Sequence, residues 1–540
     1  MKLWFGFIFV LLVAFETVVY ENIFHELLFL FTTKPLYIVL FYSFATIIGF
    51  LSITSLFFLR NRWLFSLFFM ALLTTYGLEL VYKNINNVGL SLNDLSVALA
   101  QADAFALDAL TTYQEAIKQT FIVLVVVILF MLMVRRVVHI NRWYISAKWI
   151  IVLYLFALAL GYSILYRTIG GTETRPTNFK VANTFIYYLS NRLYYGKRDK
   201  LLQKAVHKSS YKNIILIVDE SVGGKYLSIN GYPKETTPYL ESIKSRYINL
   251  GLASSVANCS QSSNILLMSG ASLNSLPDRG QRVLKQPSIF QYAKRAGYRT
   301  HYISEQSRGK RLQNLMSKYD LEYIDDFFQP KEFYTHKSMP EEDLIKATKR
   351  ALKSSSKNFF FIVKHGSHFQ WEKSYPQSEK YFLPTLKSSD PLRLDKKEEA
   401  INSYLNAIRY NVDLFFKYFL KETDFFNQKD TLIIYTSDHG QSILEEGRTS
   451  THCDSTNPPL TQGIVPLLLF STNGVLKDFQ FKKDIYSHYE IMPTIKKFMG
   501  YETKQKTFFD INETNSQQTF VSGDIFGRTS LEFNSIKSMR

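Results

Sequence analysis

Only two cysteines, Cys259 and Cys453, occur in 540 residues, so the fold cannot rest on several disulfides. The pair can form one bridge in an oxidising compartment or remain as two half-buried thiols, and the sequence leaves both open. No internal repeat or low-complexity tract occurs, which sets aside a solenoid. No small-residue cleavage site follows the first apolar run, so that run reads as an anchor rather than a removable leader. The formal charge of +17 comes without a basic stripe interleaved with stacking aromatics, which argues against nucleic acid. A membrane surface or an anionic glycolipid is the more natural partner.

What the chain does have is concentrated at its start. Five apolar runs, Leu3–Tyr20, Pro35–Leu59, Trp63–Tyr82, Gln119–Val134 and Trp149–Tyr166, crowd the first part. Most approach the about 20 residues that cross a hydrocarbon core, and the fourth is the shortest. Arg60 and Arg62 lie between the second and third runs, and Arg135, Arg136, Arg142 and Lys148 between the fourth and fifth. With both loops cytoplasmic, everything after Tyr166 is outside, which in a bacterial inner membrane is the periplasm. The expected organisation is a five-helix transmembrane domain over residues 1–167, a polar, tyrosine-rich linker over 168–209, and a periplasmic catalytic domain over 210–540. The segment Lys83–Lys118 is expected as an external amphipathic helix or a plain connector.

After Ser210 the pattern becomes strand, loop, helix. Strands are expected at Ile214–Val218, Thr300–Ile303, Phe359–Val363, Leu432–Tyr435 and Val465–Phe470, and helices at Ser288–Ala296 and Ala400–Phe419. This alternation predicts an α/β fold with a mostly parallel sheet covered by helices. The stretch after Tyr501 reads as a loosely structured extension.

Two strands end in chemistry. Asp219 and Glu220 follow the first directly, where open α/β sheets place ligands. Asp438 and His439, in "SDHG", follow another and offer an oxygen and a nitrogen of the kind zinc takes. His365 and His368 lie in "KHGSHF", and His452 stands fourteen residues beyond Asp438. Ser260, Ser262 and Ser263 precede an apolar turn at Ile265–Met268, the position of a helix N-terminus that favours phosphate. A serine held against a metal becomes a nucleophile at neutral pH.

The order of membrane segments, "ESVGGKYLSINGY", a hydroxyl loop, "GSH" and "SDHG" followed by a histidine resembles the membrane-bound phosphoethanolamine transferases of the alkaline phosphatase and sulfatase superfamily. The resemblance spans essentially the whole chain. It implies that Glu220, Asp438 and His439 bind a tightly held zinc together with the nucleophile. It also implies that His368 and His452 bind substrate phosphate or a second zinc and protonate the leaving group.

The nucleophile is usually threonine in that family; here the loop offers serines. The downstream pattern Leu267, Met268, Ser269 selects Ser260, whereas anchoring on the preceding cysteine selects Ser263. With Ser263, Gly270 would fall at an apolar position, which favours Ser260 and leaves Ser262 third. The implied activity is transfer of phosphoethanolamine from phosphatidylethanolamine to a lipopolysaccharide acceptor, lipid A or a core sugar, through a covalent phospho-enzyme. A phosphoglycerol transferase acting on a periplasmic glycan uses the same scaffold, and a non-enzymatic membrane scaffold is the alternative from another class. A formylglycine sulfatase is disfavoured, because the loop lacks the required proline and arginine.

Overall fold

The computed structural model describes residues 2–20, 28, 30–32, 35–86, 89–90, 95, 113–168, 176–190, 193–307, 311–330, 339–353, 357–388, 390–477, 481, 486–510, 518–528 and 531–536. It divides into two compact units, Met1–Arg192 and Leu193–Arg540.

In the first unit, the apolar runs form helices α1 (Lys2–Tyr20), α2 (Leu36–Leu56), α3 (Arg62–Asn86), α4 (Gln114–Ile140) and α5 (Ala147–Thr168). Their outward faces expose Leu36, Leu40, Phe121, Ile122, Leu129 and Val152, as helices surrounded by hydrocarbon do. Helices α2, α3 and α4 are long and apolar enough to cross a membrane, while α1 and α5 are apolar over the shorter stretches Leu3–Thr17 and Ala147–Ser163. The run expected to be shortest forms the longest helix, 27 residues, because α4 continues past Val134 through two arginines to Ile140. The two basic loops lie together: Ile145 N–H donates to the Phe58 carbonyl at 2.9 Å, and Arg135 donates to the Phe57 carbonyl at 2.8 Å.

Part of the expected linker is a helix, α6 (Thr177–Ser190). It buries Phe179, Val181 and Tyr187 in the first unit. The Thr177 hydroxyl donates to buried Glu16 at 2.6 Å, and Lys180 pairs with Glu79 at 2.6 Å. Polar groups inside an apolar bundle need such partners. Residues 193–209 belong instead to the second unit, where the Val206 and His207 N–H groups donate to the Gly500 carbonyl at 2.9 and 3.0 Å. Residues 91–94 and 96–112, the centre of the expected external helix, lie outside the described residues.

The second unit is built on an eight-stranded sheet. Its strands are β1 (Asn213–Asp219), β2 (Ile248–Ser254), β3 (Tyr298–Ser304), β4 (Asp326–Phe328), β5 (Lys357–Val363), β6 (Thr431–Ser437), β7 (Ile464–Ser471) and β8 (Tyr486–Ser487), in the order β4-β3-β5-β1-β6-β7-β2-β8. Only β7 runs against the others. The alternation of β1 divides the core: Ile214, Leu216 and Val218 pack on one face, Ile215 and Ile217 on the other. All five expected strands are present.

Helix α7 (Ser260–Ser269) starts at the serine cluster, as its sequence predicts. Helix α8 (Ile289–Arg295) begins with a capping box between Ser288 and Gln291. The expected helix at 400–419 is α9 (Lys397–Ile408), a π turn (Arg409–Leu414) and α10 (Phe415–Glu422).

The tail departs from expectation. It carries an antiparallel hairpin, β9 (Thr519–Gly523) with β10 (Leu531–Ser535), and Phe520, Val521 and Ile536 are fully buried. Val521 exchanges backbone bonds with Val256 and Asn258, at 3.0 and 3.1 Å, which props the loop leading to α7. Burial of these apolar residues outweighs the polar composition around them.

Candidate functional site

Strands β3, β5, β1 and β6 lie side by side and parallel, so their carboxyl ends open onto one edge of the sheet. Glu220 leaves β1, Asp438 and His439 leave β6, and the "KHGSH" segment leaves β5. Among the described residues, Glu220, Asp438 and His439 form a cluster whose ligand atoms lie within 4.8 Å of one another, and all three are buried. Helix α7 brings in its first residue: the Ser260 hydroxyl lies 3.1 Å from Glu220 Oε2 and 3.1 Å from His439 Nε2.

The other serines point elsewhere. Ser263, fully buried, donates to the Asp438 carbonyl and so ties α7 to the β6 loop. Ser262 is buried in the body of the helix. The disulfide is formed: Cys259, which precedes Ser260, is bonded to Cys453, which follows His452. Two segments far apart in sequence thus meet at the cluster. The His452 ring stacks on His439 with centroids 4.4 Å apart, and the His368 ring meets His452 at 5.7 Å. His365 follows at 6.0 Å from His368. The structure therefore brings Glu220, Ser260, Asp438, His439, His368 and His452 together.

Asp219 does not join them. Successive side chains at a strand's end point to opposite sides, and the Asp219 carboxylate turns inward to Lys364. Gln306, which sequence reasoning missed, does join: its Nε2 donates to Glu220 Oε2 at 2.6 Å. It sits just beyond β3, in a loop with no composition signal. Its only sequence cue is its place after a buried strand parallel to β5.

The electrostatics fit a cation. Burial raises the Glu220 carboxyl, but the hydrogen bond with His439 and the charges of His439, His368 and His452 outweigh it and hold the group well below the usual range. Burial and the Glu220 charge push Asp438 up to about 8. Burial lowers His439, yet the charges of Asp438 and Glu220 carry it up to about 9. Burial, with the charges of His439 and His368, holds His452 well below its ordinary value.

Asp438 Oδ2 is buried without a hydrogen-bond partner. A carboxylate oxygen in that state is costly unless something positive meets it. His439 Nδ1 lies 2.8 Å from the Gly440 carbonyl, which assigns a proton to Nδ1, so loss of the other proton turns the Nε2 lone pair toward the carboxylates. Two carboxylates, one imidazole and one hydroxyl make a donor set that suits zinc.

The sulfatase family profile matches residues 212–501. The chain is 24% identical over 266 residues to phosphoethanolamine transferase EptC of Escherichia coli, covering 48% of this chain and 45% of that protein. It is 25% identical over 320 residues to Kdo(2)-lipid A phosphoethanolamine 7''-transferase, also of Escherichia coli, covering 56% and 54%. The chain thus spans about half the length of the curated relatives it matches. Among solved structures, the integral membrane lipooligosaccharide phosphoethanolamine transferase A (EptA) of Neisseria meningitidis aligns over 92% of this chain and 95% of its own, with a TM-score of 0.60 and 16% identity. The periplasmic domain of EcEptC from Escherichia coli, in complex with Zn, aligns over 62% and 96%, with a TM-score of 0.51 and 20% identity. At these identities the likeness is one of fold.

Proposed function

This chain belongs to the sulfatase family, and from that premise we propose that it is a membrane-anchored, zinc-dependent phosphoethanolamine transferase. Its donor is phosphatidylethanolamine and its acceptor a lipopolysaccharide-type glycolipid. The names of its relatives, and the apolar helices that hold a lipid enzyme at its substrates, support the reading. The observation that carries it is Ser260: a hydroxyl at the first residue of a helix, 3.1 Å from both Glu220 and His439.

Glu220, Asp438, His439 and the Ser260 oxygen would hold one zinc ion, which when bound would supply Lewis acidity and a lowered hydroxyl pKa. Ser260 Oγ gives its proton to solvent and forms a bond to phosphorus, the bond from phosphorus to the diacylglycerol oxygen breaks, and phosphoethanolamine rests on the serine. The free N–H groups of the first turn of α7 face the phosphoryl oxygens and offset their developing charge. The arriving phosphate raises the proton affinity of His452, and His452, or His368 next to it, supplies the proton that the leaving oxygen takes. An acceptor oxygen on the glycolipid reverses the sequence. All five apolar helices cross the inner membrane in this reading, with the catalytic unit in the periplasm, opposite the two basic loops.

The test is intact mass and peptide mapping of the full chain in detergent after incubation with phosphatidylethanolamine and zinc. A phosphoethanolamine adduct on the 260–269 peptide, absent in Ser260→Ala, is expected. An adduct on Ser263 would change the nucleophile, and no adduct at all would overturn the transferase reading.

A further inference from the structure

Behind the site lies a buried ion pair that the chemistry above does not use. Lys364 Nζ is 2.6 Å from Asp219 Oδ2, and both side chains are fully buried. The Tyr435 hydroxyl donates to the same oxygen at 2.8 Å, and the Glu220 N–H donates to Asp219 Oδ1 at 3.0 Å. Lys364 also donates to the Asn411 carbonyl, inside the π turn, and lies over the Phe415 ring at 4.0 Å from its centroid. One charge pair therefore joins the ends of β1 and β5, strand β6 and the helix behind them.

Its consequences run forward along two segments. Asp219 immediately precedes Glu220. Lys364 opens the segment that reaches His368 through Gly366, whose φ is +60°, and a Cβ there would fall 2.2 Å from Asp219 Oδ1. The Ser367 N–H donates to the Glu220 carbonyl at 3.0 Å, and the Asp438 N–H donates to the Asp219 carbonyl at 2.9 Å. The Asp219 side chain thus meets the Glu220 N–H and packs against Gly366 on the way to His368, while Asp438 is tied to the Asp219 backbone.

We propose that Asp219 and Lys364 are positioning residues for the transfer: as a pair, they fix the spacing between the metal-binding cluster and the histidine that meets the phosphate. This rests on the metal reading of Glu220, Asp438 and His439. A buried pair replaced at both ends by neutral groups of similar shape commonly keeps its stability, whereas removal of one partner leaves an uncompensated charge. Stability and positioning are therefore separable by experiment.

The test compares the full chain in detergent with Lys364→Met and with the double variant Asp219→Asn plus Lys364→Met. Four quantities are read: thermal midpoint, zinc affinity by chelator competition, and kcat and KM on a fluorescent phosphatidylethanolamine. Lys364→Met is expected to lower the midpoint, weaken zinc binding about tenfold and lower kcat about 100-fold with KM little changed. The double variant is expected to regain the midpoint while keeping both losses. Recovery of zinc affinity and kcat together with the midpoint makes the pair purely structural and overturns the proposal, as does a double variant that unfolds. Glu220→Gln is the control. If it binds zinc like the wild type, the metal reading fails, and this proposal falls with it, whatever Lys364→Met does.

Discussion

Asp438 Oδ2 is buried without a hydrogen-bond partner, with His439 Nε2 standing 3.7 Å away, and a bound cation would meet it more closely. Asp438→Asn is therefore expected to abolish the rise in thermal midpoint that zinc gives the wild type. For the wild type that rise corresponds to about 2.7 kcal/mol at 100 times the dissociation constant. The metal-free variant is expected to be no less stable than the metal-free wild type; scanning fluorimetry with zinc and with chelator checks both. A proton on Asp438, held up to about 8, and one on His439, held up to about 9, must leave before a cation can bind. Zinc affinity is thus expected to rise with pH through that window. Gln306→Leu, which removes the 2.6 Å donor to Glu220, is expected to cost 10–100-fold in zinc affinity or kcat. Glu220, Asp438 and His439 were legible because each follows a continuous apolar strand. Gln306 was not, since a single amide in an irregular loop carries no pattern, and the inward turn of Asp219 needed a partner that sequence reasoning could not place.

At the scale of elements, the helix that begins at Ser260 and the loop of His452 depend on each other. The Cys259–Cys453 bond joins them across a sequence separation of 194 residues. Replacing both cysteines by serine is expected to cost about 3–5 kcal/mol of stability, read by denaturant unfolding. It is also expected to lower kcat more than zinc affinity, because His452 loses its tether while Glu220, Asp438 and His439 keep theirs. The apolar strands β1, β5, β6 and β7 could be read directly. Strand β2 could not: it mixes buried and half-buried positions and shifts register between Asn249 and Leu252. The π turn at Arg409–Leu414 was hidden in the same way, because one added residue barely disturbs an amphipathic pattern that continues on both sides. Hairpin β9–β10 was masked by polar neighbours: its apolar marks are Phe520 and Val521, buried on opposite faces of β9, and Ile536 just beyond β10.

The molecule as a whole combines an apolar unit with an α/β unit whose stability depends on acid. His488, buried against Thr436 at 2.7 Å, is lowered by burial to about 3, whereas in the unfolded chain it titrates near 6.5. Between those values the unfolded state binds the additional proton, so stability falls as pH drops from about 6.5 toward 3. The slope is about 1.4 kcal/mol per pH unit for this one group. Denaturant unfolding between pH 7 and 4 is expected to show a shallower acid dependence in His488→Asn than in the wild type. The bridge across 194 residues also acts in time. At about 5–20 residues per second, Ser260 is made roughly 10–40 seconds before His452 and Cys453 exist. During synthesis the chain thus passes through a stage that holds Ser260 without His452. The site closes only when nearly the whole sheet is available, so a copy truncated or stalled before Cys453 is a silent one.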